Sequence, residues 1–377
     1  MKTVLSKDEL RCWAEIDVKA LRHNFRFIQD YIGRRVGIVP VIKANAYGHG
    51  LEHAALALSS EKVALFGVTD WREALLLRAL RKSKSSFNTI LLSPCLVTDV
   101  SEVVRHQFIP VISTHREVQW FEKSVSKQKL AKPFPVHVKI DTGMGRVGAW
   151  HEEALILLRQ VARSPHLKLA GIATHFASSD EDATFTKQQW QRFQRCLDQF
   201  CKEHPRSDLK IHAANSAAIL RHPETYADWV RPGLLLYGVS PVKGFQRHLK
   251  PVLQWKARVT LTREILAGRT LSYGATYRAK KRQRIAIVSA GYADGYPRSL
   301  SNRGYVMIRG KRCAILGRVT MDQMIVDTSA MQNVRIGEEV VLLGAGISAE
   351  KLAALTGTIS YEIFCGIGCR VPRIRAI

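Results

Sequence analysis

Acidic side chains are scarce in this chain: 32 Asp and Glu stand against 57 Lys and Arg in 377 residues, leaving a formal charge of +25. A surplus of that size raises nucleic acid or an anionic surface as a partner. The basic patches at 81–84, 123–132 and 278–284 lack interleaved aromatics, however, and fall where loops and solvated helix faces are expected. Nucleic-acid binding is therefore set aside, since an anionic substrate accounts for the charge equally well. Long apolar runs are missing too; none approaches the ~20 residues a membrane span needs. Residues 1–11 are polar and mixed in charge, without the apolar stretch of a signal peptide, so the expected location is the cytoplasm. Cysteines stand at 12, 95, 196, 201, 313, 365 and 369, with no CxxC pair and no histidine cluster beside them. That pattern favours neither a zinc site nor a disulfide framework, and no metal is expected. Internal repeats and low-complexity segments are absent.

What is present is a rhythm. Hydrophobic residues make up 46% of the chain, ample for a sizeable core. The length suggests two domains, or a barrel with an appendage. Short runs rich in Val, Ile and Leu lie at 36–43, 63–68, 89–92, 109–112, 136–140, 169–174, 211–214 and 229–231. Between them are amphipathic stretches long enough for helices, such as 71–80, 152–163 and 186–204. Eight apolar strands alternating with helices over roughly 200 residues predict an α/β fold, a (β/α)8 TIM-like barrel. A doubly wound open sheet is the rival; it does not need eight strands, and no G-x-G-x-x-G follows the first run. Ahead of the barrel, 13–17 alternates like a strand, and 18–32 carries Leu21, Phe25 and Ile28 at helical spacing. Beyond Gly238 the pattern changes. A basic linker at 242–251 leads to longer strands at 254–265, 284–289, 305–308 and 340–343, then a short helix at 349–355 and a strand near 370–374. The expected division is a barrel over 12–245 and a C-terminal mainly β domain over 246–377, the strand near 13–17 being available to either.

In such a barrel the loops after the strands build the active site. The first run ends on Lys43, followed by small residues, two glycines and a helical pattern from Leu51. A lysine at the edge of a low-dielectric site tends to lose its proton and becomes a nucleophile or base, the chemistry of a Schiff-base lysine. Read alone it is more often a lysine reaching from a strand end to solvent. Ser216 opens a helix after the seventh run, and the N–H groups of Gly233 and Leu234 follow the eighth, an arrangement suited to a phosphate. An amine and a phosphate cradle on one barrel face point to pyridoxal 5'-phosphate.

The residues then carry a resemblance. Val41-Ile42-Lys43-Ala44-Asn45-Ala46-Tyr47-Gly48-His49-Gly50 comes first, followed by Lys139-Ile140-Asp141-Thr142-Gly143-Met144-Gly145-Arg146, Thr174-His175-Phe176-Ala177, His212-Ala213-Ala214-Asn215-Ser216 and Val230-Arg231-Pro232-Gly233. In the second domain come Leu271-Ser272-Tyr273-Gly274, Gly291-Tyr292-Ala293-Asp294-Gly295-Tyr296, Arg318-Val319-Thr320-Met321-Asp322-Gln323 and Ser360-Tyr361-Glu362. In this order they resemble the motifs of the alanine racemase family from end to end.

The resemblance implies interconversion of L-alanine and D-alanine, supplying D-alanine for peptidoglycan. Lys43 would hold the cofactor and move the α-proton on one face, with Tyr273 as the second base on the other. Two bases are needed because a single one tends to return the proton where it came from. Arg231 would face the pyridine nitrogen and His175 would link it to Tyr273. Tyr47, Ser216, Gly233, Leu234 and Tyr361 would hold the phosphate. Arg146 and the Met321 backbone would bind substrate, and Lys139 is often carbamylated at the family's equivalent position. Asp180, Tyr292, Arg298 and Arg318 would line the entrance. The family is a head-to-tail homodimer, in which Tyr273 and Met321 would reach the partner's barrel. Thr320 departs from the family, where cysteine is common.

Taken singly, His175 reads as a core histidine, Tyr273 as a packing tyrosine and Arg231 as half of a strand-end ion pair; their joint placement carries the functional reading. A racemase of serine or broader range is the alternative. A non-catalytic cofactor-binding barrel is disfavoured by the second domain. Decarboxylation is disfavoured by an arginine, rather than a carboxylate, at the ring nitrogen.

Overall fold

The computed structural model describes residues 6–80 and 87–376, so the basic patch at 81–84 lies outside the described residues. Parallel strands form one sheet in the spatial order Gly37–Ile38, Trp229–Val230, Lys210–His212, Leu167–Ala173, Phe134–Asp141, Ile109–Ile112, Asn88–Leu91 and Leu65–Val68. Its two ends meet through a single parallel bridge, Val41 to Gly67. There the Ile42 N–H donates to Gly67 O at 2.9 Å, and the Gly67 N–H to Pro40 O at 2.9 Å. The result is a nearly closed eight-stranded barrel. Its first strand is shorter than the apolar run 36–43, because Pro40 has no N–H to give a ladder. Gly37–Ile38 pairs with Trp229–Val230, the Val39 N–H still donates to Val230 O at 2.9 Å, and the bridge at Val41 follows beyond Pro40.

Helices cover the strands, and their sequences say why. Val18–Ile32 buries Leu21, Phe25 and Ile28 on one stripe. Asp70 caps Trp71–Ala79 by accepting from the Arg72 and Glu73 N–H groups, and Thr114 caps His115–Lys127. Three residues past each cap a glutamate reaches back to the end of the preceding strand. Glu73 accepts from the Thr69 N–H at 2.9 Å, and Glu117 from the Ser113 N–H at 2.9 Å. These bonds hold the strand-to-helix turns on which the site stands.

Contacts divide the chain into two units: 19–46 with 54–250, and 1–18 with 47–53 and 251–377. In the second unit the strand Cys12–Ile16 lies between Leu253–Ile265 (antiparallel) and Arg373–Arg375 (parallel). Leu253–Ile265 is the spine of this unit. Irregularities at Trp255/Lys256 and Val259/Leu261 let it turn from Glu339–Leu343 toward Gln283–Val288. The pattern-based strands at 254–265, 284–289, 305–308 and 340–343 all appear within a residue of their expected bounds, but a hairpin (Thr270–Leu271 with Tyr277–Arg278), the strands Lys311–Ala314 and Met324–Asp327, and the helix Ser360–Cys365 were not anticipated. Among the described residues no helix is long and apolar enough to cross a membrane, and no cluster of metal-ligating side chains occurs.

Candidate active site

In the barrel unit the carboxyl ends of the strands gather the expected residues. Lys43 leaves the Val41 bridge into a left-handed turn, with φ 52°, 53° and 55° at Ala44, Asn45 and Ala46. L-residues pay about 1–2 kcal/mol each for that conformation. The turn is closed by the Ala46 N–H on Ile42 O at 2.9 Å, and the Asn45 N–H reaches Glu73 Oε1 at 3.4 Å. Strain of this kind is stored where the surroundings over-determine it.

Residues His137, Lys139 and Asp141 alternate along Phe134–Asp141 and so share a face. Asp141 accepts four backbone N–H groups, from Gly143, Met144, Gly145 and Arg146, at 2.8 to 3.1 Å. Burial raises the Asp141 pKa, but those four donors outweigh it and the net shift is downward. The carboxylate is thus committed to shaping the loop that delivers Arg146. Lys139 is buried, and its pKa is pushed down to about 7, first by burial and then by the cations of Arg231, Arg146 and Lys43, Asp141 opposing them. Cations therefore dominate the barrel mouth.

Arg231 is buried, and every acceptor it meets is neutral. Its Nη1 donates to His212 Nδ1 and His212 O, both at 2.7 Å. Its Nη2 donates its two hydrogens to Thr174 O at 2.7 Å and Ala213 O at 3.0 Å, one of them shared with His175 Nδ1 at 3.3 Å. Burial lowers its pKa to about 10, which still leaves it protonated near neutrality. An arginine can only donate, so His175 and His212 receive at Nδ1 and carry their single proton on Nε2. His212 Nε2 then faces His137 Nδ1 at 2.8 Å. Burial and the neighbouring Arg231 hold all three imidazoles neutral, His137 down to about 3. Gly171 makes room for this pair, since a Cβ there would stand 2.5 Å from the His137 ring. Buried Gln189 supports the loops on either side: its Oε1 accepts the Ala177 N–H at 2.9 Å, and its Nε2 donates to His175 O at 3.3 Å and Thr142 Oγ1 at 3.4 Å.

Asn215 caps Ser216–Arg221 and receives the Ser179 hydroxyl at 2.8 Å. Ser216 Oγ accepts the Gly233 N–H at 2.9 Å and the Leu235 N–H at 3.4 Å, so a hydroxyl and the start of the Leu234–Tyr237 turn face one another. Asp180 lies on the exposed loop nearby, its carbonyl taking a bond from Arg221.

The other expected residues stand in the second unit. Tyr47 is buried, its ring 5.8 Å from that of Tyr361, and burial pushes its phenol pKa up, Tyr361 and Cys365 adding to the effect. Tyr273, Tyr292 and Met321 are exposed despite their size. Tyr273 sits at the tip of the unanticipated hairpin, over a recess it lines with Ser272, Ile287, Thr320, Gln323 and Ile325. Arg298 is exposed and Arg318 half-buried. Sequence reasoning overlooked His137, Gln189 and the role of Asp141. The first and last had a usable signal, their alternation with Lys139 on one strand.

The chain matches the family model described as alanine racemase, N-terminal domain, over residues 16–241, and the alanine racemase, C-terminal domain, over 252–375. It is 42% identical to an alanine racemase of Carboxydothermus hydrogenoformans over 373 residues, covering 96% of this chain and 98% of that protein. It is 39% identical to one from Methylacidiphilum infernorum, covering 96% and 92%. Among solved structures it resembles alanine racemase of Clostridium difficile 630, with TM-score 0.91 and 30% identity over 97% of this chain and 96% of that one. It also resembles alanine racemase from Bartonella henselae with covalently bound pyridoxal phosphate, with TM-score 0.88 and 31% identity over 97% and 100%.

Proposed function

The chain belongs to the alanine racemase family, and from that premise we propose that it interconverts L-alanine and D-alanine in the cytoplasm with pyridoxal 5'-phosphate held at Lys43. The observation that carries the reading is the match over the whole chain, including the domain that bears Tyr273. The barrel mouth fits the cofactor. Lys43, Lys139, Arg146 and Arg231 converge there, and the carboxylate beside Lys139, Asp141, is spent on backbone N–H groups. A site so charged favours an anionic occupant. Ser216, Gly233 and Leu234, with Tyr47 and Tyr361, would hold its phosphate.

When bound, the cofactor supplies an electron sink that acidifies the α-C–H bond of alanine. Lys43 Nζ takes or returns the α-proton on one face, and the Tyr273 phenol does so on the other. Arg231 would face the ring nitrogen as a donor that keeps its proton, as a guanidinium does. His175, receiving from Arg231 at Nδ1, keeps an Nε2–H to donate and would serve as the link to Tyr273. Arg146 holds the substrate carboxylate with the Met321 N–H. Lys139, with its amine near neutrality at physiological pH, is nucleophilic enough to take up carbon dioxide, and the carbamate would place an anion beside Arg146. Asp180, Tyr292, Arg298 and Arg318 line the entrance. The exposed Tyr273 and Met321 complete the barrel of a second copy, making the working form a head-to-tail homodimer.

The test is a racemisation assay over a panel of L-amino acids with the purified protein. Conversion of alanine well above serine supports the reading, and a preference for serine or a flat profile replaces it with a broader racemase. Borohydride treatment should fix the cofactor in the peptide bearing Lys43. An adduct on another lysine would overturn the assignment.

A further inference from the structure

Tyr273 stands in an unusual piece of backbone. The hairpin that carries it pairs Thr270 with Arg278 and Leu271 with Tyr277. Its base is fastened by an apolar cluster of Ile265, Leu271, Ala279, Ile285 and Leu316, with Tyr277 and Ile325 against it. The tip has no such anchor, and Tyr273 is 71% exposed. Immediately before it, Ser272 has φ 63° and ψ −179°. That region belongs almost wholly to glycine, because a Cβ there crowds its own backbone. Gly274 and Ala275 follow with φ 70° and 48°.

A serine in a glycine conformation needs something to hold it there. The Ser272 hydroxyl donates to the Arg318 carbonyl at 2.7 Å, and Ser272 O accepts the Ala275 N–H at 3.2 Å. Arg318 also lies under the tip, its guanidinium carbon 3.2 Å from where a Cβ on Gly274 would be. Gly317 permits the close approach: a Cβ on it would meet Ser272 Cβ at 2.7 Å and Leu271 O at 2.9 Å. Gly317 is itself tied down, its N–H donating to Asn302 Oδ1 at 2.6 Å, while Asn302 Nδ2 donates to Thr276 Oγ1 at 3.2 Å on the far side of the tip.

We propose that Ser272 is the positioning residue of Tyr273: its hydroxyl, clamped to the Arg318 carbonyl, holds a strained backbone that aims the exposed phenol. The inference rests on Tyr273 being the second base. Glycine would adopt the conformation freely but hold it loosely. Alanine would keep the strain and lose the clamp, so the tip relaxes and the phenol loses its aim.

The experiment measures exchange of the α-proton with solvent deuterium, separately from L-alanine and D-alanine, in holoenzymes carrying Ser272→Ala, Ser272→Gly and Gly317→Ala. Ser272→Ala should slow exchange from L-alanine, the step assigned to Tyr273, about tenfold, the loss of one well-placed hydrogen bond. Exchange from D-alanine, served by Lys43, should change less than about threefold. Ser272→Gly should recover part of the lost L-alanine rate. Gly317→Ala, which presses on Ser272 without touching its hydroxyl, should reproduce the L-selective loss. Equal losses on both enantiomers, or a glycine variant no better than alanine, would overturn the proposal. If Ser272→Ala does not fold, the glycine and Gly317→Ala pair decides by the same L-to-D ratio. Failure of the underlying reading looks different: the unaltered protein would exchange neither enantiomer, or Tyr273→Phe would slow both alike.

Discussion

The two units position their functional side chains by opposite means. In the barrel unit Arg231, His212 and His137 are buried and hydrogen-bonded in series, and each group's protonation follows from its neighbours. In the second unit Tyr273 and Met321 are exposed, and Tyr273 is set by backbone conformation at a hairpin tip. The contrast teaches that a buried site is organised by what it cannot leave unpaired, whereas an exposed one is organised by what its backbone cannot escape. Buried polar groups are costly when orphaned, so they specify one arrangement. An exposed phenol has water as an alternative partner and needs steric instruction instead.

The widest gap should separate the two bases. Lys43→Ala is expected to lower racemisation about 10⁴-fold in both directions. Tyr273→Phe should slow α-proton loss from L-alanine by about 10²- to 10⁴-fold and from D-alanine far less. Deuterium exchange of each enantiomer reads this out, and equal slowing would break the division of labour between the units.

A smaller effect is expected on stability, and in the barrel unit alone. Arg231→Met strands several buried acceptors and should cost about 2–3 kcal/mol. Thermal unfolding with peptide-resolved amide exchange would show the loss concentrated in 19–46 and 54–250. A loss spread evenly over both units would contradict the assignment of that network to the barrel.

Acid should bring out the same contrast progressively rather than in one step. His137, His175 and His212 have folded pKa values below the ordinary 6.5, down to about 3 for His137. Below pH 6.5 the unfolded chain therefore binds protons that the folded chain refuses, and stability falls as pH drops. The window opens at 6.5 and for His137 extends to about 3. Each such group contributes a slope of at most about 1.4 kcal/mol per pH unit. Stability that stays flat from pH 7 to 4 would show that the buried imidazoles do titrate in place.

The barrel was legible because its signal is short-range. Apolar runs at 63–68, 109–112 and 169–174 and the stripe of Leu21, Phe25 and Ile28 follow from strand and helix periods, which any few residues display. The first run was misjudged at Pro40, which has no N–H for a ladder and meets Gly67 through its carbonyl alone, a feature that matters only once a neighbouring strand is in place. The spacing of Lys43, Arg231 and Ser216 after successive runs likewise marked the barrel mouth, because topology alone sends strand ends there.

What the sequence determined by itself, then, was the alternation that makes a barrel and the order of the residues that carry chemistry. Only the tertiary structure decided that Arg231 meets neutral acceptors, that His212 and His137 sit ring to ring because Gly171 lacks a side chain, and that Ser272 is bent into a glycine conformation against Arg318. Those features depend on distances between segments far apart in the chain. Periodicity is written into neighbouring residues, but the burial that sets a pKa or the clash that selects a φ exists only once distant segments meet.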